Sequence, residues 1–144
     1  MVKIKKLTNT AKIPTRGTPF AAGADLYADI PEEVIIFPGE RVKIHTGLAM
    51  QIQPGLAGFI FPRSGLACNS GIRLSNCVGV IDSDYRGEVM VSLTCDDKDP
   101  QRIQPGERIG QIVFIHYEPE QFEEVDRLDE TARGEDGFGS TGQF

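Results

Sequence analysis

The stretch Gly79-Val-Ile-Asp-Ser-Asp-Tyr-Arg-Gly87 sets two carboxylates, Asp82 and Asp84, between an apolar pair and a Tyr-Arg-Gly turn. If the run is extended, Asp82 and Asp84 share a face and Ser83 takes the other. A carboxylate beside a phosphate can take a proton from an attacking water, which is general base catalysis. The same residues also make an ordinary strand end, because Asp, Ser and Gly gather wherever turns form.

A second set of chemically suited residues is Pro62-Arg-Ser-Gly65, with a cation, a hydroxyl and unpaired amides at an expected helix start. Helix N-termini favour anions, and Arg63 adds charge-assisted bonds that suit phosphate. The bland alternative is an N-capped helix whose arginine faces water. Gly137-Phe-Gly-Ser-Thr-Gly142 matches G-x-G-x-x-G formally, but no helix follows it, so it is not a dinucleotide fingerprint. Its glycines still admit a phosphate to the backbone, Ser140 and Thr141 offer hydroxyls, Arg133 offers charge, and Phe138 can stack on a planar ring. Gln111 on an apolar strand face suits a strand-edge hydrogen bond or a ligand contact. Asp25 reads as a turn acid or a metal ligand, and Tyr85 as a wedge in a sheet or a ligand contact.

These residues need elements to hold them. Val2 to Leu7 alternates apolar and basic residues, a half-buried first strand. Thr8 to Phe20 is broken by Pro14, Gly17 and Pro19 and reads as a loop. Ala21 to Ala28 packs small residues around Asp25. A helix is open there on alanine propensity, against which stand its shortness and Gly23. Val34 to Phe37 is a short strand. In Arg41 to Ile52, Val42, Ile44, Thr46, Leu48, Met50 and Ile52 share one face, and Gly47 marks a bulge or a close approach.

Leu56 to Phe61 is a strand that Pro62 ends. Ser64 to Gly71 makes one or two helical turns, with Ser64 near the N-cap and Gly71 as the stop. Ile72, Leu74, Val78 and Val80 keep a two-residue period into the opening stretch, and Val89, Val91, Leu93 and Cys95 share a side of the next strand. Asp96 to Gly106, with Pro100 and Pro105, reads as a surface connection. Glu107 to Tyr117 is apolar on parts of both faces and is a central strand. The last dozen residues carry four glycines and too few apolar side chains for a core, which makes them a flexible arm. Short strands, turns at intervals of about 8–12 residues and almost no helical period give an all-β sandwich, barrel or jelly roll.

Composition narrows the function. A chain of 144 residues is one domain with a real core. Its net charge of −6 argues against a nucleic-acid binder, though a few local arginines suffice for a small phosphorylated ligand. Cys68, Cys77 and Cys95 are odd in number and lack Cys-x-x-Cys spacing, which suits reduced thiols in a cytosol-like compartment and neither a zinc set nor a disulfide framework. His45 and His116 are the only histidines and stand far apart, which argues against a His-based metal site or triad. Neither a signal peptide nor a bilayer-spanning stretch is indicated, so the expectation is a soluble cytoplasmic protein with no membrane partner.

Five stretches in order resemble the five motifs of the trimeric dUTP pyrophosphatase (dUTPase) family. They are Ala22-Gly-Ala-Asp-Leu-Tyr-Ala28, Pro62-Arg-Ser-Gly-Leu-Ala67, Gly79 to Gly87, Gly106-Glu-Arg-Ile-Gly-Gln111 and Arg133-Gly-Glu-Asp-Gly-Phe-Gly-Ser-Thr-Gly142. The resemblance implies a distorted jelly-roll-like (β-clip) barrel over residues 1–130 with one short helix. It also implies a glycine-rich arm, 131–144, closing over a neighbouring subunit's site in a homotrimer with shared active sites. The implied activity is hydrolysis of dUTP to dUMP and pyrophosphate with Mg²⁺, which limits uracil in DNA and supplies dUMP for thymidylate.

Carried onto this chain, the resemblance makes Asp82 the base for a water attacking the α-phosphorus and sets Tyr85 against the deoxyribose. Asn76, Val80, Ile81 and Met90, on a tight hairpin from Ile72 to Met90, would hold uracil. Arg63, Ser64, Gly65 and Gln111 would contact phosphates. Arg133, Ser140 and Thr141 would clamp the terminal phosphates, with Phe138 stacked on uracil beside Gly139. Magnesium would ride on the triphosphate with no direct protein ligand, Asp25 reaching it at most through water. One departure is Asp136, where the family arm usually has glycine: a carboxylate near a triphosphate repels it, and a side chain resists positive φ. Two other readings stand beside this one, a dCTP deaminase of the same fold and a non-catalytic trimeric β-module.

Overall fold

In the computed structural model, which describes residues 1–137, the alternating stretches become strands in three antiparallel sheets. The first sheet has the order β1 (Lys3–Lys6), β4 (Arg41–Gln51), β8 (Glu88–Cys95), β6 (Ile72–Leu74). The second has the order β2 (Ala24–Tyr27), β10 (Arg108–His116), β5 (Leu56–Phe61), β7 (Gly79–Ile81). A small third sheet pairs β3 (Val34–Ile36) with β9 (Gln101–Ile103), and the helix is α1 (Ser64–Ser70). The all-β, jelly-roll-like expectation with one short helix holds among the described residues, and the sheets stay open instead of closing edge to edge.

The core forms from the faces that the two-residue period selects. Ile44 and Leu48 of β4, Val91 and Leu93 of β8, and Ile109 and Ile112 of β10 are all buried. β10 lies between β2 and β5, so both its backbone edges are paired; Ile109 and Ile112 are buried, Val113 and Phe114 half-buried, and Ile115 is exposed. α1 ends at Gly71, whose φ of +59° is left-handed and whose N–H donates to the Leu66 carbonyl.

Several local expectations change. Residues 24–27 are a strand and not a helix: Ala24 and Leu26 turn inward, Asp25 and Tyr27 half outward, and β10 supplies the backbone partners. An available sheet edge outweighs alanine's weak helical preference. The N-cap of α1 is Arg63, in extended conformation and without a side-chain cap; Ser64 is the first helical residue. The connection from Asp96 to Gly106 contains β9, anchored by the buried Ile103. The stretch 72–90 is not one hairpin. Its strands β6 and β8 belong to the first sheet and β7 to the second, so the chain crosses over and back. Val78 and Val80, on period with the buried Ile72 and Leu74, are therefore exposed.

Gly47 meets both of its expected roles. The β4–β8 register slips between His45 and Ala49, and Gly47 sits in that bulge with φ +64°. A Cβ there would overlap the Asp29 carboxylate and lie 2.8 Å from Ala11 Cβ and from Thr8 Oγ1. Gly47→Ala is therefore expected to cost about 2 kcal/mol or more, from positive φ and steric overlap together. Urea denaturation followed by circular dichroism checks this; a loss under about 0.5 kcal/mol, the scale of a neutral surface change, would show that the bulge relaxes freely.

Candidate active site

Two groups of side chains take shape. The first is built on the second sheet around Gln111, which stands opposite Asp25 of β2 on one side and Phe61 of β5 on the other. Gln111 Nε2 donates to the Pro62 carbonyl at 3.0 Å, joining β10 to the segment that enters α1. Arg63 Nε donates to Asp25 Oδ1 at 2.9 Å, and Arg108 Nη1 lies 3.3 Å from Oδ2. Asp25, only 15% exposed, thus has both oxygens engaged by guanidinium groups. That pairing compensates a charge that would be costly to bury alone.

Gly23 backs onto this group, since a Cβ there would overlap the Gln111 amide. Ser64 and Gly65 are exposed at the start of α1, where first-turn amides lack intrahelical partners. The sheet therefore brings together Asp25, Arg63, Ser64, Gly65 and Gln111. Arg108 is the residue that sequence reasoning passed over. The signal was present, three residues before Gln111 in the same stretch, but its partner became known only with the β2–β10 register.

The second group surrounds a hollow of about 220 Å³ lined by Val80, Ile81, Asp82, Tyr85 and Met90, with Lys43, Glu88 and Ser92 completing the wall. The run after β7 is not extended. Tyr85 N–H donates to the Asp82 carbonyl at 3.2 Å, closing a turn that Arg86 braces through the Ser83 and Tyr85 carbonyls at 2.7 and 2.8 Å. Asp82 and Asp84 accordingly do not share a face. Asp82 lines the hollow, whereas Asp84 lines a separate depression with Ser83, Arg86 and Gln53. Two carboxylates border the hollow: Glu88 is engaged by His45 and the Gly47 N–H, which leaves Asp82 as the one available to act as a base.

Among the described residues β7 is an edge strand, paired with β5 alone, so the outer side of its backbone has no strand partner there beside the 56%-exposed Val80. Tyr85 donates its hydroxyl to the Glu88 carbonyl at 3.0 Å, and its ring covers Gly87 closely enough that a Cβ there would overlap the phenol. Lys43, Glu88 and Ser92 went unremarked in the sequence; Lys43 and Ser92 are cross-strand partners on β4 and β8, a pairing that only register discloses.

Other expected site residues lie apart from the hollow. Asn76 is exposed in the turn between β6 and β7, with Cys77 beside it at φ +64°. It does not line the hollow, and its amide turns back toward Gly79. Arg133 is exposed, its Nε donating to the Asp136 carbonyl at 2.9 Å within a local turn. The left-handed residue of that turn is Gly134, at φ +53°; Asp136 does not take positive φ, so that part of the expectation about it is corrected. Phe138, Gly139, Ser140 and Thr141 lie outside the described residues. Among the described residues no three His, Cys, Asp or Glu side chains gather as a metal set.

Comparison with known proteins gives one answer. The dUTPase family model matches residues 9–142. The chain is 49% identical over 132 residues to the deoxyuridine 5'-triphosphate nucleotidohydrolase of Desulfitobacterium hafniense, covering 91% of this chain and 87% of that one. It is similar in structure to a mutant dUTPase of Staphylococcus bacteriophage 80alpha solved with dUpNHpp, at a TM-score of 0.87 and 26% identity over 99% of this chain and 98% of that one. A mutant dUTPase from phage phi11 of S. aureus, described with a structural Mg(II) ion, shares the fold at a TM-score of 0.78 and 19% identity over 89% of this chain and 98% of that one.

The tyrosine wall gives a direct test. Gly87→Ala is expected to push the phenol off the loop and break its bond to the Glu88 carbonyl, at a stability cost of about 1 kcal/mol. The Tyr85 ring resonances should move in NMR spectra; unchanged shifts would mean that the ring does not rest on Gly87.

Proposed function

The chain belongs to the dUTPase family, and we propose that it hydrolyses dUTP to dUMP and pyrophosphate with Asp82 as the general base. The observation that carries this reading is the hollow where Asp82, Tyr85 and the free edge of β7 meet. Uracil lies along β7, read by main-chain groups near Val80 and enclosed by Ile81 and Met90; Asn76, outside the hollow in the exposed turn, would have to swing toward the base to offer its amide. Tyr85 lies against the deoxyribose, where a 2′-hydroxyl has no room. A water held by Asp82 attacks the α-phosphorus. The carboxylate takes its proton, and the bond to the bridging oxygen breaks as pyrophosphate leaves.

The phosphates extend to Arg63, Ser64, Gly65 and Gln111. Positioning and preorganised charge supply most of the rate in chemistry of this kind, and a pair of guanidinium groups already fixed by Asp25 needs little reorganisation. A magnesium ion carried on the triphosphate would supply charge neutralisation there. Asp25 has both oxygens in ion pairs, which supports a contact with the ion through water at most.

The working unit in this reading is a cytoplasmic homotrimer with shared sites. Residues 118–137 run without regular structure, and Phe122 and Leu128 are 101% and 80% exposed, apolar surface that a single chain leaves in water. In the trimer this segment leads the arm to a neighbour's site, where Arg133, Ser140 and Thr141 hold the terminal phosphates and Phe138 stacks on uracil beside Gly139. The free thiols of Cys68, Cys77 and Cys95 suit a reducing compartment.

Pyrophosphate release measured with dUTP, dTTP, UTP and dCTP in magnesium tests the reading. Release is expected from dUTP alone, falling about 10³-fold in Asp82→Asn, within the range for a general base. Ammonia from dCTP would make the protein a deaminase, and tight nucleotide binding without turnover would make it a binding module. Asp136→Gly removes a carboxylate from the arm segment that carries Arg133, while the main-chain carbonyl that accepts from Arg133 stays, and it is expected to bind a non-hydrolysable dUTP analogue several-fold more tightly, about 1 kcal/mol for one exposed charge. Equal affinities by calorimetry would show that Asp136 does not hinder the arm.

A further inference from the structure

Glu88 joins three features that are otherwise separate. One carboxylate oxygen, Oε1, accepts the Gly47 N–H at 2.8 Å, and the other lies 2.9 Å from His45 Nδ1. Its main-chain carbonyl accepts the Tyr85 hydroxyl at 3.0 Å. It also lines the hollow beside Asp82 and Tyr85. This arrangement sits where the β4–β8 ladder is interrupted, between the pairs His45–Met90 and Ala49–Glu88. In an unbroken ladder, regular backbone bonds hold a strand end in place. Here the bulge removes them, and the Glu88 side chain binds the bulge directly. Gly47 is itself held from the far side, since its carbonyl accepts the Leu7 N–H at 2.7 Å.

We propose that Glu88 is a positioning residue for sugar selection: its carboxylate pins the start of β8 to the β4 bulge, and its carbonyl then fixes the Tyr85 ring at the angle that excludes a 2′-hydroxyl. The inference rests on the reading of Tyr85 as the deoxyribose wall. In this reading the attack on phosphorus belongs to Asp82, and the Glu88 carboxylate is already engaged by Gly47 and His45. Its loss therefore loosens the wall and leaves Asp82 in place. The effect belongs in the preference for dUTP over UTP and in KM, with kcat little changed. Glutamine keeps an oxygen for the Gly47 N–H and an amide for His45, so it preserves the anchor without the charge.

The experiment compares kcat and KM for dUTP and UTP in the full chain and in Glu88→Ala, Glu88→Gln, Tyr85→Phe and the Ala–Phe double variant. Glu88→Ala is expected to cut the dUTP preference about 10-fold through KM, with Glu88→Gln within about 2-fold of the parent. Tyr85→Phe, unable to donate to the Glu88 carbonyl, should lose as much, and the double variant no more than either single one. An undiminished preference in Glu88→Ala, or losses that add in the double variant, overturns the proposal. If Glu88→Ala does not fold, Tyr85→Phe reads the same bond from its other end, and an unchanged preference there overturns it equally. A parent protein with no preference for dUTP would instead remove the tyrosine-wall reading beneath it.

Discussion

The register of β10 against both of its neighbours is the constraint on which the cluster of Asp25, Arg63, Arg108 and Gln111 depends. Gln111 stands level with Asp25 on one side and Phe61 on the other, which brings Pro62 and Arg63 round to the same end. A slip of one residue would send Gln111 to the opposite face and separate Asp25 from both arginines. The buried apolar face of β10, through Ile109 and Ile112, makes such a slip costly. The placement of these side chains is thus a by-product of core packing, with the Asp25 ion pairs as the local lock.

The hollow obeys a different rule. Its walls come from both large sheets, because the chain leaves β6, visits the second sheet as β7 and returns as β8. Lys43, Glu88, Met90 and Ser92 belong to the first sheet, whereas Val80 and Ile81 belong to the second. Asp82 and Tyr85 ride on the turn between them. The shape of the hollow therefore reports how the two sheets sit on each other. The Gly47 bulge lets β4 bend while still pairing with β8 on either side.

Much of this was legible in the sequence where a single strand decides its own character. The alternation in Arg41 to Ile52, Val89 to Cys95 and Glu107 to Tyr117 corresponds to β4, β8 and β10, and Gly47 and Gly71 marked a bulge and a helix end. What stayed illegible depends on partners. Residues 24–27 are a strand because β10 offers an edge, and β9 forms because β3 does. The separation of Asp82 from Asp84 follows from a turn whose closing bond the spacing of acids does not reveal. Nothing in the sequence singles out Arg108 or Glu88; only register places one beside Asp25 and the other beside Gly47. The five motifs carried the functional reading further than periodicity did.

The position of β7 at a sheet edge has a consequence for mutagenesis. If, as proposed, the base is read by main-chain groups of Gly79–Ile81, it is recognised by atoms that every residue type possesses. Alanine scanning leaves those atoms in place, so Val80, exposed and seemingly replaceable, would register as silent even at the centre of recognition. The informative replacements there alter the peptide unit itself: proline, which deletes a donor, or a backbone ester, which swaps the amide for a weaker acceptor. Selectivity stored in the backbone is inherited with the fold and leaves little trace in side-chain identity.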